Sequence, residues 1–172
     1  MTGFVSPIER RYPPTVAGER EGLEAWLDYH RATLLWKLEG LDDEQLRRVM
    51  VPSGVCLLGL VKHLTEVEHS WFAIRVGGLD EPWLWMSEDD PDADFRIEPH
   101  ESTEGVVQGY LAACTRSRGI STGLASLDVT FDHPRQGPTD VRWVLTHMIE
   151  ETARHNGHAD ILRELIDGST GE

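Results

Sequence analysis

No stretch of this sequence stays apolar for about 18 residues, so no membrane-spanning helix is expected. The opening MTGFVSPIERRYPP holds no apolar segment suited to a secretory signal, which points to a cytoplasmic protein. Cysteine is scarce. Cys56 and Cys114 stand far apart, form no C-x-x-C pair and fall within helical apolar patterns, so buried free thiols in a reducing compartment are expected. Positive charge is short too. Lys and Arg number 16 against 30 Asp and Glu, and the net charge of −14 argues against nucleic acid, whose phosphates demand a basic face. Strand-like alternation is also missing. LDVTFD (127–132) could pair locally, but one short strand does not make a sheet.

What remains is helical. With 172 residues, 40% apolar and 27% charged, the chain reads as one domain over 1–172, with an extended N-terminal arm over about 1–18. Four amphipathic stretches follow. The first runs from Glu19 to Leu38, with Leu23, Trp26, Leu27, Leu34 and Leu38 at helical spacing. The second is predicted from an N-cap at Ser53 to Val76, stopped by Gly77 and Gly78. The third starts at Ser102 or Thr103, and the fourth runs from about Thr139 to Ile166, before Gly168. Four long helices predict an all-α four-helix bundle. The connection from Gly77 to Glu101 is long enough to return along a whole helix. Helices 2 and 3 can then run parallel, in an up-down-down-up order. Within that connection Asp90, Asp92, Asp94 and Glu101 imitate the spacing of a calcium loop. Phe95 occupies the position that needs glycine, however, so a solvated acidic loop is expected. Trp83 and Trp85 make the same connection a candidate lid, or equally serve as packing.

The seam of the fourth helix raises a chemical question. Stepping by four and three gives Val144, Met148, Glu151, His155, His158, Leu162 and Leu165: apolar at both ends and polar in the middle. An unpaired carboxylate in a core costs several kcal/mol, so something positive should meet it. Glu151 and His155, four apart, share a face and can reach one metal ion. The second helix carries His63 at mid-length in its own seam of Cys56, Leu60, Val67, Ser70 and Ile74. Two imidazoles and one carboxylate suit zinc with an open position, and equally Fe, Ni or Mn. Spacing alone leaves other readings open: a hydrogen-bonded core histidine at 63, or a plain ion pair of Glu151 and His155 on a wet face. His147 and His69 lie near the seams and are expected to support the ligands from behind.

LLGLVKHLTEVEHSWF (57–72) and VRWVLTHMIEETARHNGHADILRE (141–164) resemble the DinB-like metalloenzyme superfamily, and within it the actinobacterial mycothiol transferases. The likeness extends to PPTVAGEREGLEAWLDYHRATLLWKLEGLDDEQLRR (13–48) and LIDGSTGE (165–172). It implies a four-helix bundle with one divalent metal, held by a histidine of helix 2 and two residues of helix 4. Many members place H-x-x-x-H on helix 4. Here Glu151 takes the first position, giving the set His63, Glu151 and His155. That set resembles the related mycothiol-dependent maleylpyruvate isomerases, which bind zinc and carry a further C-terminal domain that this sequence lacks. His158 stands where many relatives have glutamine, which implies a supporting role.

The resemblance implies mycothiol as cosubstrate and a small-molecule electrophile as its partner. A thiol of pKa about 8.5 is mostly protonated at neutral pH, and a zinc ion with an open position would draw it to the nucleophilic thiolate. Two alternatives are a hydrolase that activates water on the metal and a bundle that binds metal without catalysis. A two-fold homodimer is the expected assembly.

Overall fold

Caps supplied by the sequence mark where the long helices begin. In the computed structural model, which describes residues 3–171, α1 spans Glu19–Trp36, and the short α2 (Asp43–Leu46) starts at a capping box of Asp42 and Gln45. The third helix, α3, spans Leu57–Glu68 and continues as a π-helical segment, His69–Val76. Its cap is not Ser53 but Cys56, whose sulfur accepts from the Gly59 N–H at 3.4 Å. Ser102 caps α4 (Thr103–Gly123) by accepting from the Gly105 N–H at 3.0 Å. Asp140 caps α5 (Val141–Asp167) through the Trp143 N–H at 2.7 Å, and Gly168, at φ +81°, closes it.

The fold is mostly helical, with one small departure. Thr130–His133 (β1) and Gly137–Asp140 (β2) form an antiparallel hairpin, with Thr130 opposite Asp140 and His133 opposite Gly137. The expectation of no sheet is corrected here, because LDVTFD finds its partner in the residues just before α5. Thr139 and Asp140 belong to that partner strand, so α5 starts at Val141.

Cross-helix contacts set the directions. Arg142 of α5 meets Glu19 of α1, Asn156 meets the His30 carbonyl, and Arg163 donates to the Lys37 carbonyl, so α1 and α5 run parallel. Buried Arg31 of α1 pairs with buried Glu68, at the far end of α3. Leu57 and Leu58 share a core cluster with Val107 near the start of α4, while Phe72 shares another with Ile120 near its end. Hence α3 and α4 run parallel to each other and antiparallel to α1 and α5. The residues between α3 and α4 make the return that this requires.

That return is stapled along α3. The Glu66 carboxylate, fully buried, accepts backbone N–H groups from Leu84 (3.1 Å) and Trp85 (2.7 Å). The Lys62 ammonium donates to the Arg96 carbonyl (2.7 Å) and to Glu101 (2.9 Å), and lies over the Trp85 ring. His69 meets the Pro82 carbonyl at 2.9 Å. Trp85 therefore sits on a tethered segment, which favours packing over a lid for this part of the connection. The acidic run is also not simply a solvated loop, because Asp94 is fully buried.

Candidate metal centre

His63 lies at the middle of α3 because the helix is apolar around it: Leu57, Leu58, Leu60, Val61 and Leu64 are all buried. One turn earlier on the same face, Gly59 leaves room for the backbone of the 93–95 turn. A Cβ at Gly59 would fall 2.3 Å from the Phe95 carbonyl oxygen. That close approach seats Asp94 and Phe95 against the histidine. Asp94 Oδ2 accepts a hydrogen bond from His63 Nδ1 at 2.8 Å, and the Phe95 ring stacks on the imidazole at 3.9 Å. With its proton on Nδ1, His63 directs the lone pair of Nε2 toward α5.

Across that gap α5 presents Glu151 and His155. Glu151 Oε1 lies 3.2 Å from His155 Nε2 and 3.5 Å from His63 Nε2. The second distance is too long for a good hydrogen bond, and His63 Nε2 is buried without a partner. One donor atom from each of the three residues lies within 4.8 Å of the others. Behind His155, His158 contributes an Nδ1 at 3.3 Å from His155 Nδ1. If His155 offers Nε2 to a cation, its Nδ1–H donates to His158, so the two bonds fix one tautomer.

The electrostatics show a site that wants positive charge. The contact with His155 first, then the nearness of the His63 imidazole, holds the Glu151 carboxyl far below the usual carboxylate range. Burial alone would lower the His63 pKa, but its bond to Asp94 and the nearby Glu151 carboxylate outweigh burial and raise it. A buried imidazole nitrogen without a partner, beside an ionised carboxylate and a second imidazole, is a donor set a divalent cation fits. Next to it is a cavity of about 290 Å³, walled by Val51, Val55, Leu60, Phe95, Ile161 and Leu162, with His155 and His158 at its edge.

Of the residues singled out from the sequence, the structure brings together His63, Glu151, His155 and His158. It places His147 and His69 elsewhere. His147 packs on Trp71 and Trp143, and His69 faces Pro82 and Glu81. Asp94 and Phe95 escaped sequence reasoning. The one local signal was Gly59, a glycine within an otherwise apolar helix and four residues before the histidine.

A mostly helical fold carrying a His-Glu-His donor set between two antiparallel helices defines a class of helical proteins with a candidate metal site. The family model for mycothiol-S-transferase matches residues 22–168, and the chain belongs to that family. Membership makes it a transferase whose family is named for a small thiol. No curated protein sequence matches it.

Proposed function

We propose that this single-domain protein is a divalent-metal-dependent mycothiol S-transferase of the cytoplasm, with His63, Glu151 and His155 as its metal ligands. The four long helices are read as an up-down-down-up bundle of the DinB-like type. The observation that carries the proposal is the buried, unpartnered Nε2 of His63, aimed at the same point as the Glu151 and His155 donors. Zinc is the best match to this ligand set, with Ni, Fe and Mn as alternatives. A bound divalent ion with an open position supplies the positive charge that favours the thiolate over the thiol.

The remaining work belongs to the chain. Asp94 and Phe95 fix the His63 ring, one by a charge-assisted hydrogen bond and the other by stacking. Glu151 is held ionised and lowers the charge of the centre. The apolar cavity beside His155 receives the body of the electrophile, so that its reactive carbon would face the thiol sulfur. The protein's own thiols take no part. Cys114 is buried and its thiol is pushed up to about 12, by burial first and then by Glu68. The nucleophile must therefore come from a separate thiol.

The test is cobalt substitution followed by titration with mycothiol. Coordination of sulfur should produce a sulfur-to-cobalt charge-transfer band, with affinity rising as pH rises toward the thiol's own pKa. An unchanged spectrum, together with turnover of electrophiles in the absence of thiol, would overturn the transferase reading in favour of hydrolysis.

A further inference from the structure

The chain has 30 carboxylates for 16 Lys and Arg, and nearly every cation is paired: Arg20, Arg31, Arg47, Arg96, Arg116 and Arg142 each meet at least one acidic side chain. Arg75 and Arg135 are exceptions, with no carboxylate at ion-pair distance among the described residues. The two are neighbours, for the charge of Arg135 acts on Arg75. Arg75 projects from the π-helical segment and lies over the Trp71 ring, 5.4 Å from its centroid, and its Nε is buried without a hydrogen-bond partner. Segments of π-helix occur often at functional sites.

The hairpin and α5 close in on the same tryptophan. His133 of β1 stacks on Trp71 at 5.2 Å, and His147 of α5 meets it edge-on at 4.7 Å. His133 Nδ1 accepts the backbone N–H groups of Arg135 and Gln136, both at 3.2 Å, so its proton sits on Nε2 and can be donated. That same turn carries exposed Arg135. Burial first, then the charge of Arg135, pulls the Arg75 pKa down; burial, Arg75, Arg135 and His147 do the same to His133. The carboxylate that reaches the cluster, Glu150 at 3.7 Å from His147 Nδ1, is already engaged by Arg154.

We propose that Arg75, Arg135, His133 and His147 form an oxyanion-binding subsite around Trp71, which takes a carboxylate or phosphate group carried by the substrate. Its place in the fold supports this. His147 is one helical turn before Glu151 on α5, about 6 Å along the axis. Trp71 faces α5 further along the same α3–α5 seam in which His63 meets His155. The cluster therefore lies on the same seam as the three donors, on the side of Glu151 away from His155. The link to the substrate rests on the transferase reading; the subsite itself does not.

The experiment uses chelator-treated full-length protein, so neither metal nor turnover enters the result. Tryptophan fluorescence is followed while acetate, succinate or inorganic phosphate is added at constant ionic strength. A saturable change with at least one of these is expected, and the preferred anion identifies the group. Arg75→Gln and Arg135→Gln should each weaken it at least about tenfold, the loss of one charge-assisted hydrogen bond, with Arg75→Lys intermediate. Should Arg75→Gln fail to fold, Arg135→Gln, on an exposed turn, decides alone. No saturable change in the wild type, or equal affinity in the arginine variants, overturns the subsite. A failed cobalt titration would leave this result standing, so the two ideas fail separately.

Discussion

Replacing Asp94 tests whether a residue that touches no substrate sets the strength of the centre. Asp94 is fully buried; Oδ2 accepts from His63 Nδ1 at 2.8 Å, and Oδ1 has no partner. Asp94→Asn keeps the shape and an acceptor oxygen but removes the charge. A hydrogen bond to a charged group contributes about 1.5–3 kcal/mol and a neutral one about 0.5–1.5. The difference of about 1–1.5 kcal/mol corresponds to roughly five- to tenfold weaker metal binding. Asp94→Ala removes the acceptor altogether. It frees the His63 ring to rotate and should weaken the metal by up to about a hundredfold. It also leaves a buried Nδ1–H unsatisfied, at a stability cost of about 1–3 kcal/mol. The two variants therefore separate affinity from stability. Asp94→Asn should bind metal less tightly while its metal-free melting curve moves less than that of Asp94→Ala, since the His63 Nδ1–H keeps its acceptor. Affinity is read by competition with a chromophoric zinc chelator, and stability by urea melts in the presence of chelator. Wild-type metal affinity in Asp94→Ala would refute the positioning role and weaken the case for His63 as a ligand.

Four further outcomes are expected. His63→Ala and His155→Ala should each lose most metal, by elemental analysis, yet keep a helical circular dichroism spectrum; Glu151→His should still bind. For the metal-free protein, the raised pKa of His63 contributes stability below about 6.5 that is lost as pH rises through its folded value. The depressed pKa of Glu151 contributes stability above about 4.3 that is lost as pH falls. Melting temperature in chelator should thus peak between those values, whereas metal-loaded protein should gain stability with rising pH; parallel curves would count against the pair. Cys56 and Cys114, both buried with raised pKa, should resist iodoacetamide at pH 8 until denaturant is added; rapid labelling of the folded protein would contradict this. Light scattering should give twice the 19.4 kDa chain mass, and a monomer at micromolar concentration would remove the dimer expectation.

Much of the helical framework was legible because its signals are local. Ser102 and Gly168 mark helix ends through their own backbone chemistry, and the seams of α3 and α5 repeat at helical spacing. The triad could be read for the same reason: Glu151 and His155 are one turn apart, and His63 stands in a seam that is otherwise largely apolar. The hairpin was not legible, because its second strand is GPTD, with a proline and no alternation. Pairing with Thr130–His133 and support from Trp71 make it a strand.

The residues that hold His63 in place were hidden by a different effect. Asp94 sits in SEDDPDADF, where neighbouring acids are solvated, and nothing in composition sets it apart from Asp90, which pairs with Arg96 near the surface. Only the third dimension separates them. The missing side chain at Gly59 draws the 93–95 turn onto α3, Lys62 and Glu66 bind the segments on either side, and Asp94 is then the residue facing the imidazole. Positions 59, 62, 63 and 66 all lie within about two turns of one helix, and Lys62, His63 and Glu66 share a purpose: each meets a backbone or side-chain group of the long connection. A helix that used this face only for core packing would carry leucine or alanine at 62 and 66. Lysine and glutamate there, beside a histidine, mean that the crossover is built into the candidate metal centre rather than laid over it.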